Sequence, residues 1–168
     1  MANNPGLEVR TVRPEDYAEV GELLVNVYVG EGFSPVERTP GLRNAEPLAT
    51  EGQLLVAREV QAGLLGTVVL FRGGTHHAEV AREQEAEIRL LAVAPVARGR
   101  GVGEALVAEC IRRARHLGCQ RLVLSTQPTM ASAQRLYERL GFVRVPERDW
   151  SKAGSPRLVY TLELAQSR

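Results

Sequence analysis

Apolar residues alternate with polar ones over some stretches of the chain and recur at helical spacing over others, and this pattern sketches the elements. Leu7, Val9 and Val12, set among polar residues ahead of Pro14, predict a short first strand. Pro14, Glu15 and Asp16 open a helix, along which Ala18, Val20, Leu23, Leu24, Val27 and Tyr28 repeat until Gly30 and Gly32 end it. Residues 33–52 hold Pro35, Pro40, Pro47 and two glycines, which predicts only a short helix or a mobile loop able to cover a site. Two β-rich runs, 54–60 and 64–71, meet around Gly63 as a hairpin, and 72–81, with Gly73, Gly74, His76 and His77, reads as a loop or hairpin end.

The second half is more regular. A long strand over Glu85–Val93 stops at Pro95, whose missing N–H cannot continue a ladder. A helix over 102–117 gathers Val102, Leu106, Val107, Cys110, Ile111, Ala114 and Leu117 on one half, with Glu104, Ala108, Arg112 and Arg115 opposite and Gly118 as its stop. A strand over 121–126, a helix over 131–140 ended by Gly141, and a strand over 157–164 complete the series, with no internal repeat. The order describes an α/β domain with a mixed sheet and βαβ crossovers after Val93 and after Thr126.

Composition narrows the function classes. A chain of 168 residues, 44% hydrophobic and 24% charged, suits one globular domain, taken as 1–168. The longest uncharged stretch, 122–134, is too short and too polar to span a bilayer, so no membrane association is expected. The N-terminus lacks the basic start and apolar run of a secretory signal, which points to a cytoplasmic location. A net charge of +1 creates no field to draw the chain onto nucleic acid, so any polyanion must be held locally. Cys110 and Cys119 match no zinc or redox spacing, adjacent His76 and His77 point apart on an extended chain, and no metal site is expected.

The most informative stretch lies between the strand ending at Val93 and the helix beginning near Val102: Arg98, Gly99, Arg100, Gly101, Val102 and Gly103. Alternating glycines at a helix N-terminus let backbone amides converge without Cβ interference, and the helix dipole adds positive potential there. Two arginines supply charge-assisted donors, so phosphate oxygens are the natural guest. The dinucleotide pattern GxGxxG fails from Gly99, where position 104 is Glu, and from Gly101, where position 106 is Leu; a P-loop fails because Lys152 is the only lysine. What remains is RxxGxG. A turn serving only tight strand–helix packing would leave both arginines unexplained.

In this loop the sequence resembles the GCN5-related N-acetyltransferases, which bind acetyl-CoA through RxxGxG after their fourth strand. The resemblance runs from about Ala86 to Val143 and includes Ile88 to Pro95, Ala114, Gly118, Leu122 to Thr126, Ala133, Leu136, Tyr137, Gly141 and Phe142, with a looser match at Gly66, Thr67 and Val68. It implies an α/β, single-domain fold: a mixed, mostly antiparallel sheet of six or seven strands, flanked by about four helices, with splayed central strands. It further implies a bulge near Leu91, pantetheine pairing with backbone at Leu91, Ala92 and Val93, and pyrophosphate bound by Arg98, Gly99, Arg100, Gly101, Val102 and Gly103. Acetyl-CoA would serve as co-substrate, without a metal.

Acetyl transfer to an amine needs a base, since an alkyl ammonium with pKa about 10.4 is almost wholly protonated at pH 7. The departing CoA thiolate is helped by an acid such as tyrosine. Tyr137 resembles the family's tyrosine beside the CoA sulfur and is taken as that acid, the alternative being a core tyrosine on the stripe with Met130, Ala133 and Leu140. Glu83, Glu85 and Glu87 fall two apart, so on a strand they share a face; Glu87 matches the catalytic glutamate of the histone-acetylating branch, the alternatives being an exposed edge charge or attraction of a cationic amine. Met130 stands where many members carry an asparagine that contacts the cofactor arm, and a thioether cannot donate that hydrogen bond. The function expected is an acetyl-CoA-dependent N-acetyltransferase acting by direct transfer in a ternary complex on a small-molecule or peptide amine, with room for a homodimer; the alternative is a non-catalytic acyl-CoA-binding sensor.

Overall fold

In the computed structural model, which describes residues 5–165, the apolar runs form an open, mixed sheet of eight strands with α-helices packed around it. In chain order the elements are β1 (Leu7–Thr11), α1 (Tyr17–Leu24), α2 (Thr39–Arg43), α3 (Glu46–Glu51), β2 (Gln53–Glu59), β3 (Gly63–Arg72), β4 (Glu85–Val93), α4 (Val102–His116), β5 (Arg121–Thr126), α5 (Ala131–Arg139), β6 (Val143–Arg144), β7 (Trp150–Lys152) and β8 (Ser155–Glu163). The described residues therefore carry one or two strands and one helix more than expected. β6 and β7 have two and three residues, too few to leave an alternation in sequence. The proline-rich 33–52 forms two helices because Pro40 and Pro47 each sit in a first turn, where no N–H is needed.

The chain forms two compact units. One comprises the chain up to Leu70 with Leu90–Glu109; the other comprises Phe71–Arg89 with the chain from Cys110 onward.

In the first unit β1 and β3 flank β2 antiparallel, with a register shift between Ala57 and Arg58. Leu54, Leu55, Val56 and Ala57 are all buried, and because consecutive strand residues point to opposite faces, both faces of β2 are covered. The leucine and valine side chains among them contribute about 1.5–3 kcal/mol each when fully buried. Asp16, also buried, ties β1 to the start of α1. Burial alone would raise its pKa; bonds from Arg10 and the Arg13 N–H, with the charges of Arg10 and Arg58, outweigh that and hold it low. Beyond α1 the helix widens into a π-turned segment, Val25–Val29.

Gly66 on β3 sets how closely α4 approaches. A Cβ there would lie 2.9 Å from Val102 Cγ1, 2.9 Å from Leu106 Cδ1 and 3.1 Å from the Ala92 carbonyl oxygen. Gly66→Val is therefore expected to destabilise the protein by about 1–3 kcal/mol, read as a lower urea midpoint. An unchanged midpoint would show that α4 can retreat without penalty.

In the second unit the first half of β4 pairs parallel with β5, and β8 lies antiparallel between β5 and β6. The crossover expected after Val93 is present. The connection after Thr126 returns to β6 in the same direction as β5, but β8 is inserted between them, so the two strands are not neighbours.

Candidate functional site

The first unit contains the glycine loop and the strand leading into it. The β4–β5 ladder ends at Ile88↔Leu124, and Leu90 has φ +54°, a left-handed conformation that strains a residue with a Cβ. The irregularity expected near Leu91 thus falls one residue earlier. Beyond it, the Leu91 carbonyl accepts a hydrogen bond from the Tyr28 hydroxyl at 2.9 Å, and the Ala94 N–H donates to the Leu65 carbonyl at 2.8 Å.

After the turn Pro95–Ala97, Gly99 and Gly101 adopt φ of +78° and +79°, the left-handed region that glycine enters freely. These two residues turn the chain into α4, whose first-turn N–H groups have no helical partners of their own. Val102 buries its side chain, so only its backbone is available to a ligand.

Both loop arginines are engaged by carboxylates. Arg98 Nη1 and Nη2 reach Glu31 Oε1 and Oε2 at 2.8 and 2.5 Å, a bidentate pair, and Arg100 Nη2 reaches Glu59 Oε1 at 2.7 Å. The bond from Arg98 holds the Glu31 carboxyl below its usual range against the opposing effect of burial. Sequence reasoning missed Glu31, Glu59 and Tyr28. Glu31 is masked by the two glycines that end the first helix, and these residues lie 67, 41 and 63 positions from their partners.

The second unit contains the proposed proton-transfer residues. Glu83 is in the turn before β4, so the three glutamates do not share a strand face, a correction to the sequence reading. Glu85, 3% exposed, is held by Arg148, Arg121 and the Arg82 N–H. Burial opposes its charge, but these donors, Arg148 first, bring its pKa to about 2. It is thus committed to an internal ion pair rather than offered to a cationic amine.

Glu87 is 0% exposed, which removes the edge-charge reading. Its Oε1 accepts the backbone N–H groups of Glu79, Val80 and Ala81 at 3.0, 2.8 and 2.8 Å, while Oε2 takes only a 3.2 Å bond from Glu79. Burial raises the Glu87 pKa despite these amides and the nearby Arg89. The result is a carboxyl group fixed in place and more basic than an ordinary glutamate, with its proton-accepting capacity concentrated on Oε2.

Tyr137 lies on α5, 5% exposed, its ring tilted against Phe142 and Tyr160 with centroids 5.7 and 6.2 Å away. Met130 Sδ accepts the Thr126 hydroxyl at 3.4 Å, and the Gln134 side-chain amide donates to the Gln127 and Pro128 carbonyls. The turn from β5 to α5 is therefore closed from within, without the asparagine many family members carry. Leu91, Ala92, Val93 and the Arg98–Gly103 loop belong to the first unit, Glu87 and Tyr137 to the second. Burial raises the Cys119 thiol pKa and Cys110 is also buried, so neither resembles an activated nucleophile. Among the described residues no cluster of His, Cys, Asp or Glu could hold a metal ion, and no helix is long and apolar enough to cross a membrane.

Comparison with known proteins identifies relatives of this arrangement. The model of the acetyltransferase (GNAT) family matches residues 21–142. An uncharacterized N-acetyltransferase of Schizosaccharomyces pombe is 37% identical over 92 residues, 54% of this chain and 52% of that protein; the chain spans about half the length of this curated relative. A GCN5-related N-acetyltransferase from Kribbella flavida superposes with a TM-score of 0.75 at 21% identity, over 96% of this chain and 100% of that one. A GNAT-family acetyltransferase from Staphylococcus aureus has a TM-score of 0.74 at 19% identity, covering 95% and 99% of the two chains. The yncA protein of Salmonella typhimurium, solved with its cofactor acetyl-CoA, has a TM-score of 0.70 at 20% identity, covering 96% of each chain. At these identities the structural likenesses establish the shared fold.

Proposed function

The chain belongs to the acetyltransferase (GNAT) family, and from that membership we propose that it is an acetyl-CoA-dependent N-acetyltransferase, the whole of 1–168 acting as one catalytic domain by direct transfer in a ternary complex. The observation that carries this reading is the Arg98–Gly103 loop, with two left-handed glycines and two guanidiniums at the N-terminus of a fifteen-residue helix. Such a donor set fits a pyrophosphate: backbone N–H groups and planar forks both match phosphate oxygens. In this reading Arg98, Gly99, Arg100, Gly101, Val102 and Gly103 hold that group, and Leu91, Ala92 and Val93 offer backbone partners to the pantetheine arm.

Acetyl-CoA supplies an activated thioester. Glu87 removes one proton from the acceptor ammonium, whose neutral nitrogen then forms the C–N bond as the C–S bond breaks; the nitrogen releases its second proton to solvent, and Glu87 passes its own proton to solvent before the next cycle. Tyr137 gives its proton to the departing sulfur and regains one from solvent. The acceptor is a small-molecule or peptide amine, and the reaction takes place in the cytoplasm.

A thermal shift tests the cofactor without knowledge of the acceptor. Acetyl-CoA at about 100 times its Kd adds about 2.7 kcal/mol, or roughly 5–10 °C for a chain of this size, and NADH and ATP serve as controls. No shift with acetyl-CoA would overturn the reading. Thiol release with a panel of amines then separates an enzyme from a non-catalytic acyl-CoA sensor, the second reading, which the amide-caged Glu87 favours.

Glu87→Gln tests the base. The variant retains an oxygen for the amides and is expected to lower kcat by about a hundredfold. Wild-type activity should rise with pH through a value above the ordinary glutamate range, because the raised Glu87 pKa delays formation of the base, and the variant should lack that limb. An unchanged rate and pH profile would assign Glu87 solely to anchoring residues 79–81.

A further inference from the structure

The two guanidiniums assigned to the pyrophosphate already have anionic partners, and the Arg98 partner is built rigidly. Glu31 lies one residue beyond Gly30, which caps the C-terminal end of the π-turned segment, and donates its N–H to the Val27 carbonyl at 3.3 Å, while the Phe33 and Ser34 N–H groups both bond the Tyr28 carbonyl at 2.8 Å. The same Tyr28 anchors its hydroxyl on Leu91 of β4. One short stretch thus grips the cofactor strand through Tyr28 and the cofactor loop through Glu31. Its carboxylate meets Arg98 with both oxygens on both terminal nitrogens, the fork geometry a phosphate would use. With Glu59 on Arg100 as well, each loop guanidinium is matched by one carboxylate, so an arriving pyrophosphate meets no unpaired arginine there.

We propose that Glu31 is a built-in competitor for the pyrophosphate site: it occupies the bidentate face of Arg98, sets the affinity of the loop for CoA, and is displaced from Arg98 when CoA binds. The inference rests on the cofactor reading above and assigns a residue that sets the affinity of that same site. Glu31 is an affinity-setting residue, not a catalytic one, because it acts through Arg98. Its displacement also loosens the tie between the loop and the stretch following α1, so that CoA occupancy is communicated to that stretch.

Isothermal titration of the full chain with CoA, and separately with pantetheine, which lacks the pyrophosphate, provides the test. Glu31→Gln and Glu31→Ala are each expected to bind CoA about threefold to tenfold more tightly than wild type, since a partly exposed ion pair no longer has to be broken. Both variants should bind pantetheine as wild type does. Unchanged or weaker CoA binding by the variants would overturn the inference while leaving the cofactor reading intact. An equal change for pantetheine would also overturn it, because the effect would then not pass through the phosphates. Wild-type protein that bound neither ligand would overturn the cofactor reading and this inference together.

Discussion

Tyr137→Phe is expected to slow acetyl transfer by about a hundredfold, with kcat and kcat/KM falling together and the Kd for acetyl-CoA unchanged. The substitution removes one oxygen and retains the ring that packs against Phe142 and Tyr160. Loss of rate without loss of folding or cofactor affinity is the signature of an acid acting on the leaving sulfur in the transition state. Thiol release under single-turnover conditions, with any amine the panel identifies, reads the effect directly. A variant with wild-type turnover would return Tyr137 to the core role that its burial also suits.

Arg148→Met is expected to cost about 3 kcal/mol at pH 7, because it removes the leading partner of the buried Glu85 charge. Arg148 also donates to the Val80 carbonyl, so the same change loosens the segment whose amides cage Glu87. The pH dependence has a definite sign. Glu85 titrates near 4.5 in the unfolded chain and at about 2 in the folded one, so its contribution is fully present above about 4.5 and is lost as pH falls from there toward 2. Glu87, two residues along β4, acts in the opposite sense: its raised pKa contributes stability at low pH that disappears as pH rises through the folded value. Urea denaturation of both proteins from pH 7 to pH 3 checks the prediction. The wild type should lose stability below about pH 4.5 more steeply than Arg148→Met, and parallel curves would show that Arg148 is not what keeps Glu85 ionised.

Much of the fold was legible because its signals are local. β4 was read with its observed boundaries, since an apolar run met a proline, and α4 was read to within one residue because a full helical stripe ended in glycine. The short β6 and β7 were not, because strands this brief exist only through their pairing with β8. The three-glutamate face failed because Glu83 lies in the turn ahead of β4, outside the strand whose alternation it was taken to share.

By itself the sequence determined the α/β class, the order of the main elements and the phosphate-suited loop at Arg98–Gly103, all of which depend on residues within about a dozen positions of one another. Tertiary structure decided the state of the charged groups. It set Glu31 on Arg98 and Glu59 on Arg100, committed Glu85 to Arg148, and enclosed Glu87 in three backbone amides. The electrostatics of a carboxylate depend on burial and on donors within a few ångströms: the arginines on Glu31, Glu59 and Glu85 arrive from 36 to 67 positions away, and the amides around Glu87, though only six to eight positions off, are aimed by the folded loop and not by any sequence pattern.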